Sequence, residues 1–352
     1  MQLPFRILRR TIVILALALL TAACGGGSDT ADGAPVTITL LTHDSFATTD
    51  GIFTAFETAN NAKVVIARGA DAGVVLNQAI LTKGKPDGDV LWGVDNTLLS
   101  RAIQEKVFAS YKSRELPNLD PSLSGFIPTG NEATPIDRGD VCVNAHPSAL
   151  VQRSLAVPTT LDELADPRYK DMLVVENPAT SSPGLAFVLA TRAHFGEAWL
   201  DYWKKLKANG VKITDGWTAA YTVEFSGSVG KGSRPLVVSY GTSPAAEVGD
   251  DGKSATVALA ATCFAQVEYA GILAGTKHTD LAGKLIDFLL ATAFQEDMPG
   301  NMYVFPARAG AAVPPAFDAH GIRPAKPLTL APGDISANRE SWIAQWSDLM
   351  LS

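Results

Sequence analysis

The chain has 352 residues, 47% hydrophobic and 18% charged, and its 36 acidic against 29 basic side chains give a formal net charge of −7. That balance offers no basic stripe to a nucleic-acid backbone, and the three cysteines include no CxxC pair that would suggest a zinc site. A chain this long outgrows one hydrophobic core and is expected to divide into two lobes.

The first residues read as an address. Arg6, Arg9 and Arg10 form a positive region, residues 11–20 are an apolar run too short to span a bilayer comfortably, and Ala22 and Ala23 lead into Cys24. The order resembles a bacterial lipoprotein signal over residues 1–23, with Cys24 as the acylated residue, although Thr21 stands where an aliphatic side chain is commoner. An ordinary secretory signal with a chance cysteine is the alternative. Residues 24–36, rich in Gly, Ser, Asp and Ala, read as a flexible tether. No later segment has the unbroken apolar stretch of a membrane helix. The expectation is an exported monomer, lipid-anchored at the outer face of the cell membrane or held in the periplasm, and otherwise soluble.

Beyond the tether, strands and helices alternate. Residues 36–41 are β-branched and apolar, Ile52, Phe53 and Phe56 share a helical face, and 63–67 is strand-like. Val74, Val75, Leu76 and Ile80 suit a helix ending before Gly84, 89–93 a buried strand, and 98–103 a helix. A Pro- and Gly-containing stretch over 117–134 breaks the pattern, and a second α/β set begins near Val141. Thr160 and Glu163 have the spacing of a capping box. Strands follow at 172–176, 236–240 and 266–273, with helices at 184–195 and after Leu281; Trp199 with Trp203, and Trp342 with Trp346, read as core stripes. Cys142 and Cys263 both lie in apparent strands. Two thiols in an oxidising compartment invite pairing, the alternative being two buried free thiols.

Open α/β sheets bind ligands at the carboxyl ends of their strands, where helix N-termini present free amides. Four such loops stand out: 42–46 with His43 and Asp44, 93–96 with Asp95 and Asn96, 177–184 with Thr180, Ser181, Ser182 and Gly184, and 239–244 with Tyr240, Thr242 and Ser243. Three consecutive hydroxyls ahead of a helix suit an anion or phosphate. Trp217 and Tyr221, in a polar setting after Asp215 and Gly216, could wall a flat cation together with Tyr240 and Tyr303.

Here the chain resembles the periplasmic thiamine-binding proteins of bacterial ABC transporters. The matching stretches are Thr42-His43-Asp44-Ser45-Phe46, Val94-Asp95-Asn96-Thr97-Leu98-Leu99, Thr180-Ser181-Ser182-Pro183-Gly184-Leu185, Gly216-Trp217-Thr218-Ala219-Ala220-Tyr221, Ser239-Tyr240-Gly241-Thr242-Ser243-Pro244, Gln266-Val267-Glu268, and Gly300-Asn301 through Val304-Phe305-Pro306. The resemblance implies a two-lobed class II periplasmic-binding fold. Each lobe is a mixed, mostly parallel sheet flanked by helices, one from 37–139 and 266–312, the other from 140–265 and 313–352, joined by hinge strands. It implies capture of thiamine or its mono- or diphosphate, with no other cofactor, and delivery to membrane permease subunits. By position, Trp217, Tyr240 and Tyr303 would sandwich the rings, Asp71 would face the thiazolium, Ser181 with Thr180 and Ser182 would face the phosphate end, and Asn301 lies in the last matching stretch. It also places Cys142 and Cys263 on neighbouring hinge strands. Two departures thin the first lobe's stacking wall: His43 replaces a Tyr, and a Trp is missing from a shortened segment over 47–52.

Other readings are thinner. No H-E-x-x-H or G-x-S-x-G supports an enzyme, and residues 227–233 only faintly resemble a P-loop and read as an exposed turn. A ferric or other small-anion receptor of the same fold lacks the expected adjacent tyrosines, since Gly241 follows Tyr240. Polyamine binding through Asp44, Asp71 and Asp95 is a further alternative, although a stacking aromatic trio favours a flat cation over a flexible one.

Overall fold

The computed structural model describes residues 33–352; the expected leader, Cys24 and the tether up to residue 32 lie outside the described residues. The first strand, β1 (Val36–Thr42), takes in the last residue assigned to the tether and leads through α1 (Thr54–Asn60) to β2 (Ala62–Arg68). Then come α2 (Ala72–Leu81), β3 (Val90–Asp95), α3 (Leu99–Gln104) and the short β4 (Phe108–Ala109). The Pro- and Gly-containing stretch holds two 3-10 turns, after which β5 (Thr134–Arg138) and β6 (Val141–Ala145) are separated by two residues, Gly139 and Asp140. The second half runs α4 (Pro147–Val151), α5 (Leu161–Leu164), β7 (Leu173–Glu176), α6 (Ser182–Phe195), α7 (Trp199–Ala208), β8 (Lys212–Thr214) and the single turn α8 (Trp217–Ala219). It continues with β9 (Leu236–Tyr240) and β10 (Val257–Ala258) before β11 (Val267–Leu273). The chain ends on α9 (Thr279–Leu289), α10 (Thr292–Met302), β12 (Phe305–Pro306), α11 (Pro315–His320) and α12 (Pro332–Met350).

These strands build two sheets, ordered β12-β5-β11-β3-β1-β2 with β4 on β11, and β10-β6-β9-β7-β8. β1 pairs in parallel with β2 and β3, and β7 with β8 and β9. Every other strand pair is antiparallel, so the sheets are more evenly mixed than the mostly parallel expectation. The reason is the crossing chain: β5 leaves the first sheet directly into β6, β11 returns to it, and strands entered from opposite directions pair antiparallel. β3 and β11 are buried on both faces, which their apolar sequences require of central strands.

Two crossing segments lie side by side. Val141 bridges Phe264, Phe264 bridges Leu328, and a disulfide joins Cys142 to Cys263. Cys263 is not in a strand, contrary to expectation. A 3-10 turn over Ala260–Thr262 precedes it, and only its own extended backbone and the single bridge at Phe264 continue the ladder. Asp140, between β5 and β6, accepts from Arg138 Nε and Nη2 at 3.2 and 3.1 Å and from the Gln266 backbone N–H at 3.4 Å. α12 packs on α7, where Trp346 meets Trp203 edge-on at 5.4 Å, and on α3, where Arg339 donates to Ser100 Oγ at 2.9 Å.

Two local expectations need correction. Thr160 Oγ accepts the Glu163 N–H, but the Glu163 carboxylate reaches past Thr160 to the backbone N–H of Thr159. Residues 227–233 are only partly an exposed turn: Gly227 and Ser228 are buried, and Ser228 Oγ donates to Tyr221 O, which anchors the turn under the Tyr221 segment. Among the described residues, no helix is long and apolar enough to cross a membrane.

Candidate functional site

The loops after β1, β2, β7, β8 and β9 meet where the two sheets face each other. Asp71 is the pivot. As N-cap of α2 it accepts from its neighbour Ala72 N–H, the first helical amide, through Oδ1 at 2.6 Å. Its other contacts come from the second sheet. Trp217 N–H donates to Oδ2 at 2.9 Å, and Ser182 N–H approaches Oδ1 at a long 3.4 Å. Burial raises the Asp71 pKa, against the pull of Trp217 N–H, the Ser181 hydroxyl, His43 and Ala72 N–H. Two glycines permit the approach. A Cβ on Gly73 would lie 2.7 Å from Thr180 O, and one on Gly216 would lie 3.0 Å from Asp71 Oδ2.

Aromatic rings gather beside this carboxylate. Trp217 stacks on Tyr221 with centroids 4.9 Å apart and planes 13° apart, and stands 6.2 Å from Tyr240 at 49°. Trp217 Nε1 donates to Ser239 Oγ at 2.8 Å, Ser239 Oγ shares a 2.7 Å bond with Ser243 Oγ, and Ser243 Oγ accepts the Tyr240 N–H at 3.1 Å. The hydroxyl ladder fixes the orientation of the indole. Burial, then the charges of Glu268, Asp71, Asp95 and Asp137, push the Tyr240 phenol well above its usual range. Tyr221 donates to Glu247 Oε1 at 2.8 Å. Tyr303 stands apart: its ring stacks on Phe317 at 6.3 Å and 8°, and it reaches the group only through its electrostatic effect on Tyr221.

On the first sheet, His43 is buried, with Nδ1 2.8 Å from Ser45 Oγ and Nε2 3.8 Å from Glu268 Oε2, an ion-pair separation beyond hydrogen-bond length. Gly93 underlies the ring. Its φ of +111° disfavours other residues, and a Cβ there would stand 2.6 Å from His43 Cδ2. Glu268 also accepts Trp92 Nε1 at 3.1 Å and Gln266 Nε2 at 3.5 Å. Asp137 faces it across the β5–β11 register. Burial and the neighbouring Glu268 hold Asp137 well above the carboxylate range. Burial alone would raise Glu268 too, but His43, Trp92 and Gln266 bring it below its usual value. Burial depresses the His43 imidazole, yet Glu268, Asp71 and Asp44 together raise it above its usual pKa.

The remaining expected residues also bond to neighbouring elements. Residues 93–95 belong to β3 itself, not to a loop after it. Asp95 Oδ1 accepts from Thr97 N–H, Thr97 Oγ and Leu98 N–H, and burial, opposed by those bonds and reinforced by Glu268, raises its pKa to about 7. Asn96 ties β3 to the β11 entry, donating to Ala265 O and accepting from Val267 N–H. Thr180 Oγ donates to Asp215 O and Ser181 Oγ accepts the Gly184 N–H, so the hydroxyls of this loop close the turn. Asn301 bonds Thr49 Oγ and Asp297 O. Asp44 is exposed and Thr242 is buried. Glu268, Asp137, Glu176 and Ser239 were not expected in the site. Their one signal in sequence is a polar or acidic residue inside or ending an otherwise apolar strand.

Chemically, the junction sets aromatic faces beside a set of buried carboxyls, an arrangement suited to a flat cation. Among the described residues, no group of His, Cys, Asp or Glu is arranged to hold a metal ion.

Comparison with known proteins agrees with this chemistry. Residues 88–327 match the family model described as bacterial extracellular solute-binding protein. A thiamine-binding periplasmic protein of Salmonella typhimurium is 32% identical over 315 residues, covering 88% of this chain and 92% of the relative. Its namesake in Escherichia coli strain K12 is 29% identical with the same coverage. A solved structure titled periplasmic thiamin binding protein superposes with a TM-score of 0.78 at 27% identity, covering 92% of this chain and 98% of that one.

Proposed function

The chain belongs to the bacterial extracellular solute-binding proteins, and from that premise we propose that its solute is thiamine, held at the junction of the two sheets by Trp217, Tyr240 and Asp71. The function is extracytoplasmic binding, not catalysis. The carrying observation is that Asp71 is bonded to the backbone of Trp217 while the indole is held by Ser239, so the carboxylate and the ring face form one preset unit. A thiazolium is flat and positively charged; the ring contact is worth on the order of 1 kcal/mol or more when dry, and the adjoining Asp71 carboxylate supplies the counter-charge. Tyr221 backs the indole, and His43 with Glu268 closes the side on the first sheet.

Delivery to ABC permease subunits completes the reading, with Cys24 as the lipidation point. The order of charged, apolar and small residues before Cys24 supports the anchor. Mass spectrometry of the mature protein should find an acylated N-terminal Cys24, and Cys24→Ser should release the chain from membranes. Titration calorimetry with thiamine should give saturable 1:1 binding in the micromolar range or tighter. Trp217→Ala should weaken it by at least about 1 kcal/mol. Saturation by a polyamine with no response to thiamine would refute the assignment.

A further inference from the structure

We propose that His43 serves the site as its own counter-cation, and that a cationic ligand entering beside Asp71 takes over that role and expels a proton from the imidazole to solvent. The cation used in the test rests on the thiamine reading; the place of His43 among the carboxyls does not.

A buried carboxyl needs a positive partner or keeps its proton. Around His43 the acids arrive from several elements. Glu268 on β11 stands 3.8 Å from Nε2, Asp71 caps α2, Asp95 ends β3, and Asp137 on β5 faces Glu268 across the register. Asp44, on the loop that carries His43, is exposed. From the other sheet comes the phenol of Tyr240, which feels the charges of Glu268, Asp71, Asp95 and Asp137. Among the described residues, no lysine or arginine is bonded to any of those buried acids. Arg138 is held by Asp140. Arg339, which feels the charge of Asp95, is taken up by Glu340, Ser100 Oγ and Thr97 O. The basic group that does face the acids is His43. Burial works against its charged form, but Glu268, Asp71 and Asp44 together hold the ring protonated more firmly than an ordinary imidazole.

The geometry lets that proton leave. Nδ1 lies 2.8 Å from Ser45 Oγ, and a hydroxyl accepts from a protonated ring nitrogen or donates to a bare one. Loss of the Nδ1 proton therefore leaves no unpaired nitrogen there, while Nε2–H stays turned toward Glu268. Ser45 is only half-buried, so the proton has a short way to water. A flat cation lying against Trp217 and Tyr240 adjoins the Asp71 carboxylate and brings a second positive charge into the same poorly solvated region. The two charges repel. A thiazolium cannot shed its charge, so the imidazole yields. Binding is thereby linked to pH. It tightens as pH rises from the imidazole pKa in the complex to the higher pKa in the free receptor, by up to about tenfold per pH unit, and is level outside that window.

The test is calorimetry of the full mature chain with thiamine from about pH 6 to about pH 8, the span in which an imidazole titrates. Each titration is run in two buffers of different ionisation enthalpy, so that the protons exchanged are counted directly. Wild type, His43→Gln and Glu268→Gln are compared, circular dichroism confirms folding, and imidazole NMR of the ligand-free protein follows the titration of His43 itself. Inside the window, wild type should release about one proton and bind more tightly as pH rises. His43→Gln should release close to none and bind with an affinity that no longer varies with pH. Glu268→Gln should lower the His43 pKa and shrink the release; where His43→Gln does not fold, an unchanged proton count in Glu268→Gln overturns the inference. Wild-type binding without proton release overturns it too, as does a release that His43→Gln leaves more than about half intact, which places the proton on a carboxyl. If thiamine does not bind wild type, the thiamine reading fails alone and the NMR titration decides. A His43 that titrates above about 6.5 and falls in Glu268→Gln supports the counter-cation role. One at or below about 6.5, or one that Glu268→Gln leaves unmoved, overturns it.

Discussion

His43 is buried beside Glu268, with its other ring nitrogen on Ser45 Oγ. A buried imidazole ordinarily loses its proton, but here Glu268, Asp71 and Asp44 together raise its pKa above the usual value of about 6.5. The stabilisation this confers is present in full below about pH 6.5 and disappears as pH climbs through the higher folded value. Glu268 behaves oppositely. Its folded pKa lies below the usual value of about 4.5, so its contribution is complete above that pH and is lost as pH falls through the folded value. The couple is fully effective between those two limits. Thermal unfolding of wild type and His43→Gln across the pH range should show the widest gap in melting temperature inside that window, closing toward both ends. A gap independent of pH would mean that the ring contributes packing alone.

At the scale of elements, the meeting of α2 with the loop before α6 depends on a missing side chain. Gly73 stands in the first turn of α2, where alanine is intrinsically about 1 kcal/mol better, yet its Cβ would press on Thr180 O at 2.7 Å. Backbone cannot swing aside as a flexible side chain does. Gly73→Ala should therefore lower the melting temperature and weaken thiamine binding severalfold, measured by thermal unfolding and calorimetry; unchanged values for both would show that the loop before α6 does not rest on Gly73. The α/β alternation and most helix starts were legible because each depends on neighbours in sequence. Trp217 was visible as a site candidate because an indole in a polar stretch has no core to serve. Asp137, Glu176 and Glu268 were not, because their convergence is created by the β5–β11 register and by strand ends far apart in the chain. The approach of Asp71 to the loop before α6 was illegible for the same reason: the residue arrives from the other sheet. Cys263 was misread as a strand residue because a β-branched neighbour mimics strand character where only one bridge forms.

For the molecule as a whole, the segments joining the two sheets hold them in register. They are short: Gly139 and Asp140 lie between β5 and β6, and the return path passes through Cys263 and Gln266. The Cys142–Cys263 disulfide ties the two paths together and closes a loop of sequence separation 121. A crosslink over so long a loop restricts the unfolded chain strongly, and its removal costs about 2–4 kcal/mol in typical cases. Both cysteines are essentially inaccessible, so a double Ser variant also places two hydroxyls in apolar surroundings. Cys142 lies in β6 opposite Ser239, however, and among the described residues neither cysteine bonds Asp71, Trp217 or Tyr240. Cys142→Ser with Cys263→Ser should thus unfold at markedly lower urea concentration than wild type yet bind thiamine with affinity within about threefold at temperatures where it remains folded. Equal midpoints would mean that the bridge adds nothing to stability. A large loss of affinity in the folded variant would mean that the crosslink sets the angle at which the two sheets meet, and with it the distance from Asp71 to the Trp217 amide.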